Sequence, residues 1–155
     1  MVKIDLRNRH RFTIPPRRIL QKCFNIVASH QNLKQSLVSV EIASLHEIQQ
    51  LNKTYRKKNK PTNVLSFPFR GLSSLPNQRN LDYFLGDLVL CPEILQYEAK
   101  VQQKYIENHW CHLFIHGILH LIGYNHDTND AAHKMEKTEI VLLRKMSIDN
   151  PYFQQ

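Results

Sequence analysis

Residues 116–126 read HGILHLIGYNH, and the way this stretch folds decides what surrounds it. His116 and His120 are four residues apart, and His126 follows six later. On a helix, positions i and i+4 lie on one face, one turn apart and about 6 Å along the axis. The pattern predicts a helix from about Ile106 to Ile122 that carries the first two histidines. A helix cannot readily bring a third side chain to the same point from six residues further on, so the chain must turn. Gly123 stands where it would turn, because glycine tolerates the left-handed backbone that ends many helices. His126 can then swing back towards the other two.

Two imidazoles one turn apart can converge on one ion at roughly 2.0–2.1 Å. With His126 as the third ligand, the fourth position of a tetrahedral site stays open, which is the pattern of a catalytic rather than a structural metal. The expectation is a zincin-like metal helix with metal ligands His116, His120 and His126. Zinc suits this donor set best, with nickel, cobalt or iron as alternatives. The spacing HxxxHxxGxxH matches the zinc-protease motif HExxHxxGxxH except that Gly117 replaces the glutamate. That glutamate is the general base for attack on a peptide, so proteolysis by that route is not expected. His112 and His116 form a rival pair at the same spacing, with His109 on nearly the same face; His109 and His112 are expected to be packed or exposed residues rather than ligands.

Outward from this stretch, strands and helices interleave. KIDLRN (3–8) and SLVSVEIA (36–43) alternate as strands do. Pro15-Pro16 opens a helix over RRILQKCFNIVAS (17–29). Ser44-Leu-His-Glu47 is a capping box that opens a helix through about Lys58. NVLSFPF (63–69) is β-prone, with Pro68 confined to a sheet edge or strand end. GLSSLPNQRN (71–80) reads as a loop, and GDLVLC as a buried strand. Pro92 and Glu93 start a helix through about Lys104, and a last helix covers residues 130–146, with N-caps on offer between Asp127 and Asp130. The expectation is one small domain over 1–150, α/β (α+β) in class, with a mixed sheet flanked by helices. Residues 151–155 are expected to form a loose tail.

The chain has 155 residues, 42% hydrophobic and 22% charged, enough for one packed core. It has no apolar run long enough to span a membrane and no signal-peptide pattern, so no membrane partner and a cytoplasmic location are expected. Three cysteines without a CxxC argue against a disulfide framework or a thiolate zinc site. Residues 1–60 hold 13 Lys+Arg against 3 Asp+Glu, a net of +10, whereas 61–155 hold 8 against 10. A basic half suggests a polyanionic partner, nucleic acid first.

HGILHLIGYNH closely resembles the HGxLHLxGYDH signature of the YbeY-type endoribonucleases, also called rRNA maturation factors. LNKTYRKKNKPTNVLSFPF (51–69) is similar to that family's N-x-x-YR…PT(D/N)VLSFP block. LGDLVLCPE (85–93) resembles its LGDI strand, and Met135 and Glu139 match its M-x-x-x-E. The resemblance spans about residues 40 to 145. It implies one metal, usually taken as zinc, on His116, His120 and His126. It implies a single-strand-specific endoribonuclease acting in 3′-end maturation of small-subunit (16S) ribosomal RNA and in ribosome quality control. The partners would be ribosomal RNA and the ribosome or its small subunit, and the family's YR arginine maps onto Arg56. Two departures stand out: Asn125 and Asn63 occupy places where relatives often carry Asp. Asp127 is the candidate to restore the charge lost at 125.

Phosphodiester cleavage gathers negative charge on the equatorial oxygens, so cations must be aimed there. A metal supplies one and a guanidinium another, which makes Arg56 the second expected catalytic group. Metals lower the pKa of coordinated water towards about 7, so a glutamate base is dispensable. The nucleophile, water or the RNA's 2′-hydroxyl, stays open. Lys57, Lys58 and Lys60, with Arg56, are the expected substrate-binding residues, as an electrostatic track. The competing readings are a non-catalytic ribosome assembly factor with a structural metal and a divergent metalloprotease, the latter disfavoured by Gly117.

Overall fold

In a computed structural model of the chain, residues 1–69 and 84–153 are described. The elements run β1 (Val2–Arg7), α1 (Arg17–His30), β2 (Ser36–Ile42), α2 (Leu45–Arg56), β3 (Val64–Pro68), β4 (Phe84–Leu90), α3 (Pro92–Val101), α4 (Ile106–Leu121) and α5 (Asn129–Arg144). The expected loop 71–80 lies outside the described residues.

The four strands form one mixed sheet in the order β1-β2-β4-β3. β1, β2 and β4 run parallel, and β3 pairs antiparallel with β4 at the edge. Pro68 therefore ends an edge strand, where its missing N–H breaks no ladder bond. Helices cover both faces of the sheet. One face carries the main core, in which Val38, Val40, Leu88 and Leu90 meet α1, α4 and α5. The other carries a smaller cluster of Ile48, Leu65, Val89 and Cys91 beside α2 and α3. The result is one small α+β domain.

α4 is the central helix. Trp110, Phe114, Ile115, Ile118 and Leu119 are all buried, so it is apolar on most of its circumference rather than on one stripe. Gly117 sets how closely it lies on the sheet. A Cβ at this position would come within 2.8 Å of Leu88 Cδ2 and 3.3 Å of Val64 Cγ2. The missing side chain is thus a packing requirement, and a glutamate here would point into Leu88 and Val64.

Several ends differ from the sequence reading by a few residues, each with a local cause. α2 stops at Arg56 because Lys57 takes a left-handed conformation, φ 59°, so Lys57 and Lys58 lie beyond the helix. α3 stops at Val101 rather than near Lys104, and Gln103 has a positive φ of 55°. α5 is capped by the Thr128 hydroxyl, which accepts from the Ala131 N–H at 3.0 Å. At the C-terminus, the stretch read as a loose tail has Tyr152 turned back onto α5. Its hydroxyl lies 3.0 and 2.9 Å from the two carboxylate oxygens of Glu139.

Candidate metal centre

α4 delivers His116 and His120 on one face, one turn apart, and then ends. The Gly123 N–H bonds the His120 carbonyl at 3.2 Å and the Tyr124 N–H bonds the Leu119 carbonyl at 3.0 Å. These two bonds make a Schellman ending with Gly123 at φ +112°. The reversal brings His126 back over the helix end. His120 Nε2 lies 3.0 Å from His116 Nε2 and 3.1 Å from His126 Nε2. The three sequence-predicted histidines meet at one point.

The ring nitrogens on the far sides fix the tautomers. His120 Nδ1–H donates to the Tyr124 carbonyl at 2.9 Å, a partner supplied by the same turn. His116 Nδ1–H donates to Glu139 Oε1 at 3.2 Å. In the neutral rings, both Nε2 atoms then carry lone pairs, and these face each other at 3.0 Å. Lone pairs so close repel unless a positive charge sits between them. Burial, reinforced by the neighbouring His116, lowers the His120 pKa to about 4, so protonation of that ring is disfavoured at neutral pH. Three imidazole nitrogens around tetrahedral zinc lie roughly 3.3 Å apart, given bonds of about 2.0–2.1 Å, close to the spacing seen. The donor set and its orientation fit a divalent transition metal.

Glu139 is the buried acceptor under this site, with no solvent exposure. Beyond His116 it takes the His112 Nε2–H at 2.5 Å. Burial alone would raise its pKa; the bonds from His112 and His116 outweigh that and hold it near 2. A metal-ligating histidine backed by a carboxylate is the usual way to fix ring orientation and raise ligand basicity. His112, His116 and Glu139 also come close enough to group as donors, but the Glu139 oxygens are already engaged by hydrogen bonds from both histidines. His109 is used elsewhere, bonded to Glu98 at 3.0 Å. Asn63 Nδ2 donates to both Glu98 oxygens, at 3.2 and 3.1 Å. His109 and His112 are both buried, the packed rather than the exposed alternative.

Arg56 stands at the end of α2 and donates to the Ser66 carbonyl on the edge strand at 2.6 Å. Ser66 in turn donates its hydroxyl to the Gly117 carbonyl at 3.1 Å. One strand residue thus links the arginine to the histidine helix. Arg56 is exposed, and this bond uses one of its five N–H groups. Lys57, Lys58 and Lys60 are exposed on the loop that follows, with no ion-pair partner among the described residues. The buried Asn52 shapes that loop by donating to the Lys60 carbonyl at 2.9 Å.

Asn125 shapes the turn into the third histidine, where its Oδ1 accepts the Asp127 N–H at 3.1 Å. This turn needs only the acceptor oxygen, which Asn supplies as well as Asp. Asp127, the expected compensating charge, is exposed and makes no side-chain hydrogen bond to the three histidines. Sequence reasoning did not find the Tyr124 carbonyl, the Glu98–His109 pair or Tyr152. The i, i+4 rule speaks only of residues on one helix, and these partners come from a turn, another helix and the C-terminal segment.

A family model described as Endoribonuclease YbeY matches residues 5–147. Proteins named Endoribonuclease YbeY from Francisella philomiragia and Francisella tularensis subsp. tularensis are each 44% identical over 154 residues. These matches cover 99% of this chain and 97% and 94% of those proteins. The solution structure of TM1509 from Thermotoga maritima shares the fold, with a TM-score of 0.59 at 22% identity, covering 100% of this chain and 97% of that one. No helix among the described residues is long and apolar enough to cross a membrane. By the length and identity of these matches, the chain belongs to the Endoribonuclease YbeY family.

Proposed function

We propose that this chain, an enzyme of an endoribonuclease family, is a metal-dependent, single-strand-specific endoribonuclease that acts in 3′-end maturation of small-subunit (16S) ribosomal RNA and in ribosome quality control. The observation that carries the catalytic part is the pair of fixed tautomers on His116 and His120, whose lone pairs converge with His126 on one point. In this reading His116, His120 and His126 hold one zinc ion. A bound divalent metal supplies Lewis-acid stabilisation of charge on a phosphoryl oxygen.

The chain's own residues do the rest. Glu139 and the Tyr124 carbonyl keep the two helix histidines in the ligating tautomer. Arg56 is steadied at its Ser66 bond and offers its remaining N–H groups to the scissile phosphate as a second cation. Lys57, Lys58 and Lys60 hold the flanking phosphates, with ribosomal RNA in the small subunit as partner. Position 117 faces Leu88 and Val64 and carries no carboxylate, so the general base of the protease motif has no counterpart here, which favours phosphodiester over peptide chemistry.

The test compares metal content and RNA cleavage of wild type, His120→Ala and Arg56→Glu, prepared identically. One metal per chain in the wild type, lost in His120→Ala, with cleavage lost in both variants, supports the reading. Cleavage equal in all three would assign the nuclease to a contaminant and favour a metal-stabilised assembly factor.

A further inference from the structure

The carboxylate beneath the three histidines has a third partner, contributed by the last residues of the chain. Glu139 takes His116 on Oε1 and His112 on Oε2, and the Tyr152 hydroxyl bridges both oxygens at 3.0 and 2.9 Å. The Tyr152 ring stands edge-on against the His112 ring, with centroids 5.3 Å apart and planes at 85°. The segment is held in place on both sides of the tyrosine. Lys104, between α3 and α4, donates to the Pro151 carbonyl at 2.9 Å. The Tyr152 N–H bonds Asn150 Oδ1 at 2.8 Å, and the Phe153 N–H bonds the Asn150 carbonyl at 3.2 Å. Although 41% of the residue is exposed, its hydroxyl points inward at a carboxylate with no exposure of its own.

We propose that Tyr152 is a positioning residue that pins Glu139, and through it the His116 ring, so that the C-terminal turn sets how tightly the histidine site retains its metal. A carboxylate is free to rotate about its last bond, and two histidines on the same helix constrain it from one side only. The tyrosine hydroxyl constrains it from the C-terminal side, so that Oε1 stays directed at His116 Nδ1. Without that contact the carboxylate can turn towards His112, its closer partner, and His116 loses the acceptor that holds its tautomer. Partners that orient metal-ligating histidines change metal affinity by about 10–100-fold when removed. Tyr152 acts one bond further out, so an effect of about 10-fold is expected. The residue lies beyond the 5–147 span of the family match.

The proposal rests on His116 being a ligand, and the experiment separates the two. Zn(II) affinity of the full-length protein is measured by competition with a chromophoric chelator for wild type, Tyr152→Phe and His116→Ala. Thermal unfolding is followed for each with and without Zn(II). Tyr152→Phe removes one oxygen and keeps the ring on His112, so the fold is expected to persist. Affinity weakened about 10-fold in Tyr152→Phe, with a smaller zinc-induced rise in Tm, supports the proposal. Wild-type affinity in Tyr152→Phe, with His116→Ala impaired, overturns it and leaves the ligand reading standing. Wild-type affinity in His116→Ala overturns both. A metal-free Tm lowered in Tyr152→Phe with unchanged affinity makes the contact merely structural and also overturns it.

Discussion

In the proposed function Arg56 does two things with one side chain, and a conservative substitution should separate them. Its bond to the Ser66 carbonyl closes the outer edge of β3, and its free N–H groups remain available for phosphate. Lysine keeps the charge but loses the planar fork that holds a backbone carbonyl and a phosphate together. Arg56→Lys should therefore lower kcat on single-stranded RNA by about 10–100-fold while costing the fold only about 1 kcal/mol. A kcat within about twofold of wild type would remove Arg56 from the chemistry. Gly117 makes the opposite case, a residue whose absent side chain matters. Gly117→Glu restores the protease letter but drives a carboxylate against Leu88 and Val64. It should destabilise by about 3 kcal/mol or more and confer no peptidase activity. Normal stability by denaturant unfolding would contradict the close approach of α4 to the sheet.

What the sequence made legible follows the same division between local and distant. The convergence of His116, His120 and His126 could be read because helix period and a glycine ending are local rules. Ser44 and Glu47 were legible as a capping box for the same reason, and both bonds of the box form, at 3.2 and 3.0 Å. Glu139 was recognisable only as the last letter of the M-x-x-x-E match, since its donors lie 23 and 27 residues away. The helix limits that shifted did so at Lys57 and Gln103, where residues other than glycine take positive φ, which composition does not announce. At the scale of elements, α2 and the end of α4 each carry a prediction. Ser44→Ala should cost about 1 kcal/mol. Bonds to the Ser44 backbone, together with those to His10, hold the Glu47 pKa near 2, below its ordinary value of 4.5. A carboxyl depressed by folding contributes stability above its unfolded pKa and loses it as pH falls through the folded one. The stability gap between wild type and Glu47→Gln should therefore be full above about pH 4.5 and shrink towards about pH 2, as urea unfolding across that range would show. In α4, Gly123→Ala meets no neighbouring atom within 4 Å, so its cost is conformational, about 1–2 kcal/mol. Because the positive φ at residue 123 is what turns His126 towards the helix, the same change should weaken Zn(II) binding while leaving helix content intact by circular dichroism.

For the whole molecule, the fold places the histidine cluster and the basic loop on different supports. The histidine site sits on the most buried helix, fixed by packing, whereas Lys57, Lys58 and Lys60 ride on an exposed loop at the end of α2. A metal that binds only the folded state stabilises it by about 4 kcal/mol at a free concentration roughly 1,000 times its Kd. Chelation should therefore lower Tm in the wild type and do nothing to His120→Ala. The lysine loop answers to salt instead. Each phosphate neutralised on a single strand contributes about 0.7 to the slope of log K against log salt. Replacing all three lysines with alanine should flatten that slope by up to about 2 and weaken binding evenly across sequences. It should leave metal content and the kcat of bound RNA close to wild type, because none of the three touches a histidine. Arg56→Lys should do the reverse, lowering kcat and leaving the slope nearly unchanged, since the charge is kept. Fluorescence anisotropy from about 50 to about 300 mM salt, where the Debye length falls from roughly 14 to roughly 6 Å, reads the slope, and single-turnover cleavage of the same RNA reads kcat. If the lysine variant lost kcat and kept its slope, the loop would belong to the reacting centre and the electrostatic track would have to lie elsewhere on the basic N-terminal half.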